Sequence, residues 1–200
     1  MTNDASDRFL DQANEQMGAV ERLIKGLPGV QGYVEKEARR DADKRLRLYI
    51  ANALGNVQSR LLRGQQELLD NSGLKDIDRM DSALRRLQTL IDRIKTASYG
   101  YAGFFDTVRI KDEQLKALHR FDVALAQQAA GLEAAADALL QAIKNNEAVR
   151  EGIAKLSDEI GALDALFAKR GEAVVSPDLL LNDEQLPDVD PALLTTDQEG

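Results

Sequence analysis

The sequence predicts an all-α fold: an elongated antiparallel bundle of about five helices with coiled-coil-like packing, followed by a disordered acidic C-terminal tail. Three observations lead there. Leu supplies 29 and Ala 27 of the 200 residues, while Gly and Pro together supply 18. That mix lacks the β-branched residues and turn punctuation of a sandwich or barrel. Apolar residues recur at steps of three and four over long stretches, the signature of amphipathic helices. Aromatics are 4% of the chain and Trp is absent, so the core must be mostly aliphatic.

The first helix is expected over 6–25, where Leu10, Ala13, Met17, Val20 and Ile24 share one stripe. Gly26, Pro28, Gly29 and Gly32 end it. The second is expected over 33–70, on Val34, Ala38, Ala42, Leu46, Tyr49, Ala53, Val57, Leu61 and Leu68. These steps are mostly of four, so this seam is expected to drift from a strict heptad. Asp70, Asn71, Ser72 and Gly73 form a stop. The third helix, 74–105, carries Ile77, Met80, Leu84, Leu87, Ile91 and Ile94. The same phase extends through Ser98 and Tyr101 to Phe105, so the helix is expected to persist despite about 1 kcal/mol lost at each of Gly100 and Gly103.

A fourth helix over 112–144 places Leu118, Phe121, Leu125, Leu132, Ala135, Leu139 and Ala142 on one stripe. A fifth over 147–170 carries Val149, Ile153, Leu156, Ile160, Leu163 and Phe167. Their phases nearly join, and the pair Asn145–Asn146 favours a break, since two poor helix formers stand together. Residues 1–170 thus form the bundle and 171–200 the tail.

Net charge is −8, and all of it belongs to the tail, which holds eight acids and no Lys or Arg. Such a segment is expected to stay disordered and to be dispensable for folding. Leu179, Leu180 and Leu181 are apolar beads within it and candidate partner contacts.

Chemistry finds little purchase. Zero Cys excludes a disulfide framework and thiolate metal sites. The single His, His119, has Lys at position 116, so a di-iron pair of Glu-x-x-His motifs is ruled out. His119 with Asp122 is a weak ligand pair, better read as a boundary hydrogen bond. No P-loop follows Gly26–Gly32. The carboxylate pairs Glu35/Glu37 and Asp41/Asp43 stand among Lys36, Arg39, Arg40, Lys44 and Arg45 and read as a solvated ion-pair face. No catalytic, cofactor or metal residues are expected, and the chain is expected not to be an enzyme. With a body of zero net charge, nucleic acid is not an expected ligand. The longest uncharged run is the 12 residues 48–59, too short to cross a bilayer. The N-terminus lacks a signal-peptide profile, so a cytoplasmic location is expected. The 6–25 helix carries four acids and three bases, against the basic face usual at membranes, so membrane contact is expected to be weak.

Tyr99, Tyr101, Phe104 and Phe105 are four of the nine aromatics, set around Gly100 and Gly103. Tyr101 and Phe105 are expected to face the core, with Tyr99 and Phe104 as candidate partner contacts. The stretch Ala97-Ser98-Tyr99-Gly100-Tyr101-Ala102-Gly103-Phe104-Phe105-Asp106, with Leu115, Leu118 and Phe121-Asp122 after it, resembles a small family of bacterial all-helical proteins. Members of that family accompany stomatin-like (SPFH) and phage-shock-type envelope-stress proteins. The resemblance spans about residues 30–170 and brings no catalytic residue. It implies a non-enzymatic adaptor in envelope or stress homeostasis, whose partners are other proteins: further copies of itself or stomatin-like proteins. The alternative is a peripheral membrane-binding protein that uses its first helix.

Overall fold

The computed structural model describes residues 36–70, 74–97, 112–182, 186–189 and 194. Four long helices make up nearly all of this: α1 (Lys36–Asp70), α2 (Leu74–Thr96), α3 (Asp112–Asn145) and α4 (Val149–Val175). A 3-10 turn, Pro177–Leu181, follows α4. No strand occurs among the described residues. The expected 6–25 helix and the continuation of the third helix from 98 to 105 lie outside the described residues.

Each helix exists to bury a seam, and each seam alternates steps of three and four. In α2 it is Met80, Leu84, Leu87, Ile91 and Ile94, all buried. In α4 it is Val149, Ile153, Leu156, Ile160, Leu163 and Phe167, again all buried. The seam of α3 includes Leu118, Leu125, Ala129, Leu132, Ala136, Leu139 and Ile143. Burying a Leu, Ile or Phe side chain contributes roughly 1.5–3 kcal/mol, so these seams dominate the folding of helices that would be marginal alone.

The seam of α1 departs from expectation. Leu46, Val57, Leu61 and Leu68 of the expected stripe are buried, together with Ile50, Ala51 and Leu54, whereas Tyr49 and Ala53 are only partly covered. Reading through the polar positions gives a heptad row at 43, 47, 50, 54, 57, 61, 64 and 68, with Leu46 and Ala51 buried beside it. The pattern is hidden in the sequence because Asp43, Arg47 and Gly64 occupy three of its eight places.

Packing joins α1 to α2 and α3, and α4 to α2 and α3, which closes a ring of four helices. Polar pairs tie the helix faces together. Arg47 reaches the carbonyls of Ile94 and Lys95, Gln58 donates to Gln88, and Gln65 donates to Asp81 at 2.7 Å. The Gln65 bond first, and then Arg85, holds the Asp81 carboxyl below its usual value. Arg60 of α1 bridges Glu133 and Asp137 of α3, and Gln128 of α3 donates to Glu159 of α4.

Gly64 faces α3 at close quarters. A Cβ built there would run into Leu140 Cδ2. The methyl of Ala can be met by a rotation of the half-buried Leu140, but a branched side chain cannot. Gly64→Val is therefore expected to cost ~1–3 kcal/mol by overpacking, read as a lower denaturant midpoint with an unchanged slope.

The break between α3 and α4 falls at the Asn pair, as expected. Asn146 and Ala148 both adopt φ of 54°, the left-handed region that cannot continue a helix. The Asn146 and Glu147 amides bond back to the Ile143 and Ala142 carbonyls and close the last turn of α3.

The boundary at 170 is displaced. The last helix runs on to Val175, and Gly171, Ala173 and Val174 are buried in it. Leu180 in the 3-10 turn is 2% exposed, and Val189 is also buried. With Leu115, Ala117, Leu118 and Phe121 of α3, residues Ala173, Val174 and Leu180 form a second apolar cluster at one end of the bundle. Arg120 clamps this arrangement by donating to the Pro187 carbonyl at 2.6 Å. Residues 171–181 thus belong to the body. The acids concealed this, because Glu172 and Asp178 are exposed while Ala173, Val174 and Leu180 among them turn inward.

Candidate functional site

Two features of the described residues are polar in a manner that packing alone does not require. The first is a buried layer of charge that spans the bundle. Arg170, on the α4 seam one turn after Phe167, has no solvent exposure, and neither has Asp122 on the α3 seam. Its Nε donates to Asp122 Oδ1 at 2.5 Å, and a terminal nitrogen donates to Asp43 Oδ1 at 2.7 Å. The other oxygen of Asp43 accepts from Arg47 Nε at 2.8 Å. Arg47 closes the layer on the last carbonyls of α2, where a cation also complements the helix dipole. Among the described residues, two carboxylates and two guanidiniums from α1, α3 and α4 thus meet in one layer, which reaches α2 through its carbonyls. His119 and Gln114 are buried nearby on α3.

This layer corrects two expectations. Asp43 is not on a solvated face: its i, i+4 pair with Arg47 lies on the buried seam. His119 and Asp122 are not at the boundary but inside. The arrangement is structural in chemistry. The planar guanidinium of Arg170 binds two carboxylates from different helices, which a Lys cannot copy. Among the described residues no group of three or more His, Asp or Glu could hold a metal ion.

The second feature is a surface groove between α2 and α4. Its first part, about 310 Å³, is lined by Ser82, Arg85, Arg86, Thr89, Arg93 and Asp164, with Leu90 and Ile160 at its floor. Arg85 pairs with Asp81, and Arg93 pairs with Asp164. Arg86 leans over Gly161 and has no carboxylate partner among the described residues. Beyond Arg93 the groove turns apolar. This second part, about 530 Å³, is walled by Phe167, Ala168, Gly171, Val175 and Leu179, with Glu172 and Ser176 at its edge.

The candidate contacts named from sequence separate here. Leu179 is half-buried and lines the apolar part of the groove, Leu180 faces the second apolar cluster, and Leu181 is exposed. Tyr99 and Phe104 lie outside the described residues. The groove arginines went unread because they alternate with apolar residues on a helix whose outer face is ordinarily charged. A sequence signal existed: residues 82, 86, 89 and 93 form a second 3–4 stripe, of Ser, Arg, Thr and Arg, on the side of α2 away from α1. No helix among the described residues is long and apolar enough to cross a membrane. No protein-family model, curated protein or solved structure matches the chain.

Proposed function

We propose that the protein is a non-enzymatic adaptor that binds other proteins through the α2–α4 groove, and that its setting is bacterial envelope or stress homeostasis beside stomatin-like proteins. The groove carries the first part of this reading: three arginines at one end and an apolar wall at the other suit an acidic amphipathic segment, with carboxylates over Arg86 and an apolar side chain against Phe167 and Val175. The setting rests on the resemblance of the 97–106 motif.

The scaffold proposed for it runs its consecutive helices antiparallel, with coiled-coil-like packing. The pairs Arg47–Ile94, Gln58–Gln88 and Gln65–Asp81 support opposite directions for α1 and α2, and Gln128–Glu159 with Asp122–Arg170 does so for α3 and α4. The heptad seams support the packing.

Pull-down from the source cell, with proteins identified by mass spectrometry, tests the function. Partners captured by the intact chain should be lost with Arg86→Glu or Val175→Asp, both at exposed positions where folding should tolerate the change. Retention of every partner by both variants overturns the groove. Strong co-sedimentation with anionic vesicles, lost in Phe9→Asp, would instead favour peripheral membrane binding.

A further inference from the structure

The outer face of α1 carries a second seam that nothing described in this chain covers. Leu48, Leu62 and Leu69 are 42%, 51% and 39% exposed, three of the five large exposed hydrophobics among the described residues. They fall at multiples of seven. Completing the 3–4 alternation between them gives Leu48, Asn52, Gly55, Ser59, Leu62, Gln66 and Leu69. All seven are uncharged, in a helix otherwise dense in Arg, Lys, Asp and Glu, and the row runs about 32 Å at 1.5 Å per residue.

Gly55 marks this row as more than chance. A Cβ at Gly64, Gly131, Gly152 or Gly161 would meet a neighbouring side chain, but a Cβ at Gly55 would meet nothing within 4 Å. A glycine in mid-helix weakens the helix, and no packing within the described residues calls for this one. It leaves a notch in an exposed apolar row.

The row is also nearly palindromic about Ser59. Reversed, it places Leu48 opposite Leu69, Asn52 opposite Gln66, Gly55 opposite Leu62, and Ser59 opposite itself. We propose that the row is an interface for a second copy of this chain, with two α1 helices docked antiparallel about a two-fold axis at Ser59. Leu62 of each copy then fills the Gly55 notch of the other, twice, and the amides of Asn52 and Gln66 can bond across. Such self-complementarity is what an isologous interface requires.

Charge selects the same direction. Exposed Lys44 and Arg45 flank one end of the row, and exposed Glu67 and Asp70 the other. Antiparallel docking brings Asp70 within a turn of the second copy's Lys44 and Arg45. Parallel docking would set like charges together and leave the two glycine notches facing each other. Since α1 packs on α2 and α3, its free face points away from the α2–α4 groove. The dimer therefore presents two open grooves, an arrangement that raises avidity for a repeated or clustered partner.

The absence of native cysteine makes the register directly readable. In the full chain, Ser59→Cys should form a covalent dimer on mild oxidation. Leu48→Cys alone should not, but mixed with Leu69→Cys it should give the disulfide-linked pair. By sedimentation the unmodified protein should run at twice its 22.0 kDa chain mass, and Leu62→Arg should weaken association at least 100-fold with an unchanged far-ultraviolet circular dichroism spectrum. A mass of one chain at every concentration, failure of Ser59→Cys to crosslink, or efficient self-crosslinking of Leu48→Cys overturns the proposal. So does resistance of Leu62→Cys to maleimide in a monomer, which would place another part of the same chain over the row.

Discussion

Arg170→Met is expected to destabilise the bundle by about 3–5 kcal/mol. At ~2–4 °C per kcal/mol for a chain of this size, the melting temperature should fall by roughly 6–20 °C. The large value comes from what the substitution leaves behind. Asp122, with no solvent exposure, loses a 2.5 Å charge-assisted bond, and Asp43 loses one of 2.7 Å. Two carboxylates then remain in an apolar interior with less positive charge to answer them, and removing one partner of a buried pair costs far more than the pair contributes. Arg170→Lys should recover part of the loss, since a single ammonium can neutralise one carboxylate but cannot span both. Replacing the whole layer at once should behave differently. The variant Asp43→Leu, Arg47→Met, Asp122→Leu, Arg170→Met leaves none of these four charges orphaned and should melt at or above the native temperature. It should also show broadened or multiple methyl resonances, because a buried polar layer admits only one alignment of the otherwise aliphatic seams. Sharp, single resonances in that variant would assign the alignment to the interhelical pairs on the surface, such as Gln65–Asp81 and Arg60–Asp137.

The same residues explain what could be read from the sequence and what could not. The seams of α2 and α4 were legible because every position carries Leu, Ile, Val, Met or Phe, so periodicity alone identifies the buried face. The stop at Asn145–Asn146 was legible because it rests on local propensity. On α1 the periodicity is intact but its chemistry is not: Asp43 and Arg47 stand in core positions and are made tolerable there by Arg170, which is 127 residues from Asp43. A buried ion pair is a tertiary fact, and no local rule separates it from the exposed Asp41, Lys44 and Arg45 beside it. Heptad register does offer a signal, since positions 43, 122 and 170 each continue a neighbouring apolar seam. The groove was hidden for the opposite reason. Its arginines are on a solvent-facing side, where charge is the ordinary condition, and only the pairing of α2 with α4 gathers them into one concavity.

Deleting residues 171–200 tests where the body of the protein ends. Composition alone predicts a change of a few degrees, as for an acidic extension that buries nothing. The packing predicts a loss of about 5 kcal/mol or more. Leu180 and Val174 are each 2% exposed, and removing buried aliphatic side chains of this size typically costs 2–5 kcal/mol for Leu and somewhat less for Val. Ala173 and Val189 go with them, and the truncation also uncovers Leu115, Leu118 and Phe121 on α3. A further term comes from Arg170, which becomes the last residue: its own carboxylate would stand beside Asp43 and Asp122 and weaken the neutrality of the layer. The melting temperature should therefore drop by roughly 10–20 °C, with new binding of a hydrophobic dye at the exposed end of α3. Two point variants divide the effect. Leu180→Ala should reproduce about 2–5 kcal/mol of it, whereas Leu181→Ala, at 47% exposure, should leave stability within about 0.5 kcal/mol. Equal, small effects from Leu180→Ala and Leu181→Ala would show that the turn does not seal the bundle, and that its acids rather than its leucines describe the segment.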